Sequence, residues 1–326
     1  MAAQSQQDNG GTNVLARISR QAGVSTGTVS RVFNNSPRIP VATRSRVMAA
    51  ARELGFRPRV GVRSRQIALV TEAPGKSPMG GYVSSMTQYI SYALATAGAG
   101  IALITEDRLE DISACWFDGI IGIAWENKTV DALRSIKNLP VVWLSENHRD
   151  FFHVVYSDGH KTGRMVGDYL RNKGHHRVAV IHDPDFTGNK RSEGLRAALE
   201  QDATAVVLAI ANTQQLHLSV KQIIDNGCTA VWVTGVDMKV LEVNWLLQEL
   251  AGKKVPDDIS LIGFENPGIS EFLRPSLTTV FSPLQDIAER AVALVLDDAL
   301  QDSRQCIEIP EQLIERASVY ERPPQH

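Results

Sequence analysis

Residues 14–34, VLARISRQAGVSTGTVSRVFN, read as two short helices joined by a tight turn. Ala16 and Ile18 belong to the first helix. Ala22-Gly23-Val24 makes the turn, and Ser25 is a good N-cap for a second helix from about Thr26 to Phe33. Val29, Val32 and Phe33 give that second helix a buried side, so Thr26, Gly27, Thr28, Ser30 and Arg31 point elsewhere. Small polar residues and one arginine on the front turns of a short helix suit a major-groove reader. They let the backbone approach the duplex and leave one bidentate group for guanine.

The surrounding charge agrees. From Asn13 to Gln66 there are eleven arginines, no lysine and one acid, Glu53, while the whole chain has a formal charge of −2, so the rest carries −12. A solvated helical face explains most charge runs, but not the near-exclusion of acids over such a length. A basic head on an acidic body is the asymmetry expected when one end meets phosphate and the rest stays off it.

After Asn34-Asn35-Ser36-Pro37, Ile39-Pro40 opens a third helix in which Val47, Ala50, Ala51 and Leu54 recur at helical spacing and Gly55 closes the end. This stretch resembles the DNA-binding head of the LacI/GalR family of bacterial transcription regulators. The resemblance is carried by Ala22-Gly23-Val24-Ser25, Thr28-Val29-Ser30-Arg31-Val32, Asn34-Asn35-Ser36-Pro37, Thr43-Arg44 and Leu54-Gly55-Phe56-Arg57-Pro58. It implies base reading by Thr26, Gly27 and Arg31, phosphate contacts by Ser25, Thr28, Ser30 and Asn34, and Leu15 at the DNA backbone. Gly27 departs from the family's longer polar side chain and has no atoms with which to read a base. Arg31 retains two readings, base reader or phosphate clamp.

The 260 residues after Gln66 are enough for a large core or two lobes. No apolar run approaches membrane-span length, and the polar start, MAAQSQQDNGGTN, lacks a signal-peptide core, so a cytoplasmic protein is expected. Cys115, Cys228 and Cys306 are widely spaced, which fits reduced thiols better than a metal site or disulfides. Strands are expected at 66–71, 100–105, 119–124, 141–144, 154–156, 177–182, 205–210, 230–234 and 260–264. Helices are expected at 83–97, 129–137, 159–173, 191–201, 218–226 and 239–250. Alternation of short apolar strands with amphipathic helices predicts an α/β body of parallel sheets with helices on both faces, and the strand count favours two doubly wound lobes around a cleft. No GxGxxG or Walker-type loop appears, so no nucleotide cofactor is expected.

The resemblance extends over the body through Phe117-Asp118-Gly119-Ile120-Ile121, Leu139-Pro140-Val141-Val142, Lys173-Gly174-His175-His176-Arg177-Val178-Ala179, Arg191-Ser192-Glu193-Gly194, Val255 to Phe264 and Pro275 to Val280. It implies a small all-α helix-turn-helix head on a periplasmic-binding-protein-like body. The divisions are then a disordered tail (1–12), the head (13–58), a linker (59–66), an N-terminal lobe (67–157 with about 281–309) and a C-terminal lobe (158–280 with about 310–320). Implied partners are double-stranded operator DNA, a small-molecule effector such as a sugar, and a second copy of the chain; a membrane partner is not expected.

Three departures qualify this. After Pro58 the family's hinge helix and its minor-groove leucine give way to Arg59-Val60-Gly61-Val62-Arg63-Ser64-Arg65, in which Gly61 disfavours helix. A flexible basic linker is expected instead, with Arg59, Arg63 and Arg65 at phosphate or minor groove. In the cleft, the resemblance assigns effector contact to Arg191, either gripping a ligand or tied up in a surface ion pair. Asp237, Glu265, Ser145, Asp158 and Thr187 complete the candidate set, but Gly235-Val236-Asp237, Glu265-Asn266 and Ser145-Glu146 each depart from the family's polar pattern. Trp125, Trp143 and Phe281 are available for stacking or for the core. Finally, EDRLEDISACWFD (106–118) leaves room for only a short helix, trimming the lobe at a dimer face or the cleft. His182, Asp183 and Asp185 raise the alternative of an enzyme or simple binding protein using the cleft, but no nucleophile elbow or repeated ligand spacing accompanies them. No catalytic or metal residue is assigned.

Overall fold

The computed structural model describes residues 8–33, 36, 38–56, 65–73, 81–123, 127–136, 139–200, 206–210, 216–235, 238–300 and 304–323. The head comprises α1 (Asp8–Ala22), α2 (Thr26–Phe33) and α3 (Val41–Glu53). Ile18, Ala22, Val29, Val32, Val47, Met48, Ala50 and Ala51 meet in its core. Helix α1 begins at Asp8, inside the stretch expected to be a disordered tail. Once a helix is nucleated by core contacts, each added residue needs little more than one hydrogen bond to extend it.

The first lobe runs through β1 (Gln66–Thr71), α4 (Tyr82–Thr96), β2 (Gly100–Thr105), α5 (Glu110–Ala114), β3 (Gly119–Ile123), α6 (Asn127–Arg134), β4 (Val141–Trp143) and β5 (His153–Tyr156). The chain then crosses to α7 (Gly159–Asn172), β6 (Arg177–Ile181), α8 (Phe186–Leu199), β7 (Val206–Ile210), α9 (Leu216–Asp225), β8 (Ala230–Val233), α10 (Lys239–Trp245), β9 (Ser260–Phe264) and β10 (Thr278–Phe281). It returns as α11 (Leu284–Leu296) and β11 (Cys306–Glu308), and crosses a third time to β12 (Gln312–Ile314). Two six-stranded sheets result, ordered β11-β5-β4-β3-β1-β2 and β12-β10-β9-β8-β6-β7. All pairings are parallel except β10 with β12. β12 enters directly from the carboxyl end of β11, so it starts at the inter-lobe end and must run against its neighbours.

Both sheets are buried on two faces, as parallel sheets require. In the first, Leu69, Ile121 and Val142 pack under α4 and α11, while Val70, Ile120 and Trp143 pack against α5 and α6. In the second, Ile181 and Val231 face α9 and α10, and Val180, Trp232 and Phe264 face α7 and α8. Trp143 is therefore a core residue, stacked on Phe152 at 5.6 Å, rather than a ligand platform. Phe281 stays 36% exposed, and Trp125 lies outside the described residues.

Helices α7 and α8 approach each other closely. A Cβ on Gly163 would stand 2.0 Å from the Arg191 carbonyl oxygen, and one on Gly194 2.0 Å from that of His160. Only glycine lets these backbones meet. Helix α8 starts at Phe186, ahead of the expected 191, because the Asp185 carboxylate caps it by accepting from Gly188 N at 2.6 Å. The expected 239–250 helix divides at Trp245 into α10 and a π-helical turn over Leu246–Leu250.

Candidate nucleic-acid interface and inter-lobe site

Helix α2 is positioned by its cap. Gly23 takes φ 64°, the left-handed conformation that turns the chain between α1 and α2. Ser25 Oγ then accepts from Thr28 N at 3.1 Å, satisfying one of the free amides of the first turn. Val29 and Val32 anchor the inner face, leaving Ser25, Thr26, Gly27, Ser30 and Arg31 exposed and Thr28 half-buried. Arg31 Nε donates to the Gly27 carbonyl at 3.2 Å, which folds the arginine back along its own helix. Leu15 is half-buried against the head's own core. Asn34, Arg59 and Arg63 lie outside the described residues.

Arg65 is described, and it faces the body: its guanidinium donates to the Leu296 carbonyl and the Asp298 carboxylate, at the end of α11. The expected phosphate contact of Arg65 is thus replaced by an anchor on the first lobe. A second anchor comes from the trimmed segment, which meets the head rather than a cleft. Trp116 packs edge-on to Phe33 at 6.5 Å, and Arg52 Nη2 donates to the carbonyls of Ile112 (3.0 Å) and Cys115 (2.9 Å). Burial lowers the Arg52 pKa, with Cys115 opposing. Beside these contacts lies a cavity of about 1000 Å³, bordered by Phe56, Trp116, Pro140 and Arg304.

At the other end of the first sheet, roughly 20 Å away for strands of this length, the strand carboxyl ends and three crossings meet the second lobe. Asp158 caps α7 by accepting from Lys161 N at 3.0 Å. Ser145 is buried just beyond β4, and Thr187 is half-buried on the first turn of α8. Arg191 pairs with Glu311 at 3.0 Å, and Glu265 forms a two-toothed pair with Arg316 at 2.8 and 3.0 Å. Asp237 lies outside the described residues. The structure brings Asp158, Thr187 and Arg191 together where α7 and α8 begin, with Gly159 against the Thr187 carbonyl. Glu265 belongs to a separate cluster with Thr279 and Arg316.

The remaining acid–base candidates are committed elsewhere. His182 Nδ1 lies 2.9 Å from the Asp183 carbonyl, the Asp183 carboxylate pairs with Lys239 at 3.0 Å, and Asp185 is the α8 cap. Burial raises the Asp185 pKa and its bond from Gly188 opposes this. Among the described residues no group of three or more His, Cys, Asp or Glu is placed to hold a metal ion, and no helix is long and apolar enough to cross a membrane.

Residues 14–59 match the profile of the bacterial regulatory proteins of the lacI family, and 168–319 that of the periplasmic binding protein-like domain. The chain belongs to the LacI family. Among relatives of this LacI-family protein, the HTH-type transcriptional repressor PurR of Proteus mirabilis (strain HI4320) is 26% identical, with 94% of this chain and 96% of that protein covered. PurR of Pectobacterium carotovorum subsp. carotovorum (strain PC1) is 27% identical at the same coverage. The fold is shared with the lac repressor dimer bound to operator and the anti-inducer ONPF (TM-score 0.69, 20% identity, 93% of this chain and 98% of that one). It is also shared with a transcriptional regulator CelR–cellobiose complex (TM-score 0.65, 22% identity, 93% and 99%).

Four contributors to these LacI-family sites went unnoticed in the sequence: Glu311, Thr162, Tyr82 and Trp116. Glu311 accepts from Arg191 and, at 2.6 Å, from Thr162 Oγ1. Tyr82, at the start of α4, has its hydroxyl pKa raised by burial first and then by Glu311, with Arg191 opposing. One signal was available: Gly159, Gly163 and Gly167 recur every four residues on α7, marking the face that α8 must approach.

Proposed function

We propose that this LacI-family regulator represses transcription as a homodimer that reads a near-palindromic operator with two copies of α2 and answers to a small molecule between its lobes. The observation that carries this is the capped α2 helix, anchored by Val29 and Val32 and exposing Ser25, Thr26, Gly27, Ser30 and Arg31 on an arginine-rich, lysine-free head. A helix fixed this way enters a major groove without further ordering. In this reading residues 13–58 bind DNA, Arg59 and Arg63 add phosphate contacts, and the paired lobes supply dimerisation and ligand response, in a cytoplasmic protein. Twofold symmetry of the protein requires a matching site.

No catalytic role is assigned: Asp183 pairs with Lys239 on α10, Asp185 caps α8, and His182 lies against the neighbouring Asp183 carbonyl. The relatives' names supply the repressor function, and the CelR neighbour is described with cellobiose, so sugars are the first ligands to try. The test is an electrophoretic mobility-shift series on fragments from the gene's own upstream region. Preference for one fragment over bulk competitor, with affinity falling steeply and linearly in log salt, supports the reading. Equal binding to all fragments, or none, overturns it.

A further inference from the structure

The charge of Arg191 is already matched. Its Nη2 donates to Glu311 Oε1 at 3.0 Å and to Oε2 at 3.4 Å, and the Arg191 and Glu311 side chains are only 13% and 1% exposed. Thr162 Oγ1 holds the same carboxylate at 2.6 Å from α7. The guanidinium lies over the Phe264 ring, 4.3 Å from its centroid, and Phe264 stacks on Trp232. The Nε of Arg191 is buried and makes no hydrogen bond. Glu311 reaches this position because it sits on the third crossing, between β11 and β12, where both lobes converge.

A guanidinium whose charge is matched at Nη2 by a buried carboxylate keeps Nε for a neutral acceptor but has no uncompensated charge to offer a ligand anion. An incoming carboxylate or phosphate must displace Glu311 from Thr162 or share Arg191 with it in a site poor in water, where like charges repel strongly. The surroundings point the same way. Glu146, from the first lobe, has its pKa raised by burial and then by Asp158 and Glu308, so three carboxylates stand near one another beside α7 and α8, opposed by Arg149 and Lys190. Lys161, on the first turn of α7, is bound to Glu308 at 2.6 Å.

We propose that Glu311 is a built-in counter-ion that sets the ligand class of the inter-lobe site. It takes the place of a ligand anion on Arg191, so the site accepts neutral hydroxyl- or amide-bearing molecules and rejects carboxylates, sulfates and phosphates. This rests on reading the inter-lobe junction as the ligand site.

The experiment is isothermal titration of the full-length chain with sodium sulfate and sodium gluconate at constant ionic strength, comparing wild type, Glu311→Gln and Arg191→Met/Glu311→Gln. Wild type should bind neither anion. Glu311→Gln should bind at least about tenfold more tightly than wild type, because the like-charge penalty is gone, and the double variant should lose that binding. Anion binding by wild type as tight as by Glu311→Gln overturns the proposal, as does a folded Glu311→Gln that binds neither anion. If Glu311→Gln fails to fold alone, sulfate should restore it relative to chloride and the double variant should fold without anions. Failure of both overturns the proposal. The mobility-shift series on wild type is independent: loss of DNA preference would sink the regulator reading while leaving these titrations interpretable.

Discussion

Replacing Gly163 by alanine tests whether the α7–α8 contact holds the inter-lobe site together. The added Cβ would lie 2.0 Å from the Arg191 carbonyl oxygen and 2.7 Å from Leu195 N. Both obstacles are backbone, so no rotamer change relieves them, and an ordinary 3.4 Å contact requires the helices to part by about 1.4 Å. Alanine gains about 1 kcal/mol of helix propensity over glycine. Against that stand an overpacking cost of about 3 kcal/mol, at the upper end because backbone must move, and about 1 kcal/mol for the Arg171–Ala198 hydrogen bond that spans the same helices. The net expectation is a loss of about 3 kcal/mol. Urea unfolding followed by circular dichroism reads it, with Gly27→Ala as the control. A Cβ on Gly27 meets only side-chain atoms, at 3.8 and 3.9 Å, so that variant should gain up to about 1 kcal/mol. If Gly163→Ala melts within about 0.5 kcal/mol of wild type, the close-contact argument is wrong, since ordinary surface changes have effects of that size.

Four further outcomes are expected. Glu311→Ala should cost about 3–5 kcal/mol by stranding a buried guanidinium, and Arg191→Met with Glu311→Leu should recover most of it in the same urea assay; equal losses in both would deny that the pair is the cause. Arg31→Ala should cost about 1–3 kcal/mol at one operator base pair if the arginine reads a base, whereas uniform weakening with a salt slope smaller by about 1 would mark a phosphate contact. Trp116→Ala should speed tryptic cleavage after Arg59 or Arg63, because the head loses its edge-on contact with the lobe; an unchanged digestion rate would remove Trp116 as an anchor. His175, within 3.0 Å of Thr229, Ser260 and the Tyr320 carbonyl, is pushed down to about 4 mainly by burial, so the unfolded chain takes up its proton first. Its contribution is therefore complete above pH 6.5 and lost as pH falls toward 4, by up to about 3 kcal/mol; urea midpoints across that range check it, and a slope unaltered by His175→Gln would assign it elsewhere.

The head was legible because its contacts are local: cap, turn and apolar spacing sit within some forty residues, and each points to the same helices. The central strands were legible for a similar reason, as short apolar runs between helices. What stayed hidden depends on distant partners or on very short elements. β11 and β12 have three residues each, too few to show a period. The first turn of α8, Phe186-Thr187-Gly188-Asn189, has a glycine and little apolar pattern, and is held by the Asp185 cap. Nothing near Glu311 announces that its carboxylate is buried, since Arg191 lies 120 positions earlier. Arg65 was read as a DNA contact from charge alone, and charge does not reveal that the end of α11 offers it Leu296 O and Asp298.

These anchors define how a ligand between the lobes can act on the head. Among the described residues the head is attached to the first lobe at two places: Arg52 and Trp116 at α5 and the segment after it, and Arg65 at the end of α11. Helix α11 begins three residues after β10 ends, at the second crossing from the other lobe, and runs some 20 Å as a 13-residue helix packed on β3, β4 and β5. A lobe rotation hinged at this crossing would be delivered at the last turn of α11, where Arg65 is held. Continuity of this kind supplies a route but no energy. The energy must come from a ligand that binds one closure more tightly than another. The Arg191–Glu311 pair sits beside the third crossing and adjoins Tyr82 of the first lobe, so a ligand that rearranges the pair changes contacts on both sides of the hinge at once.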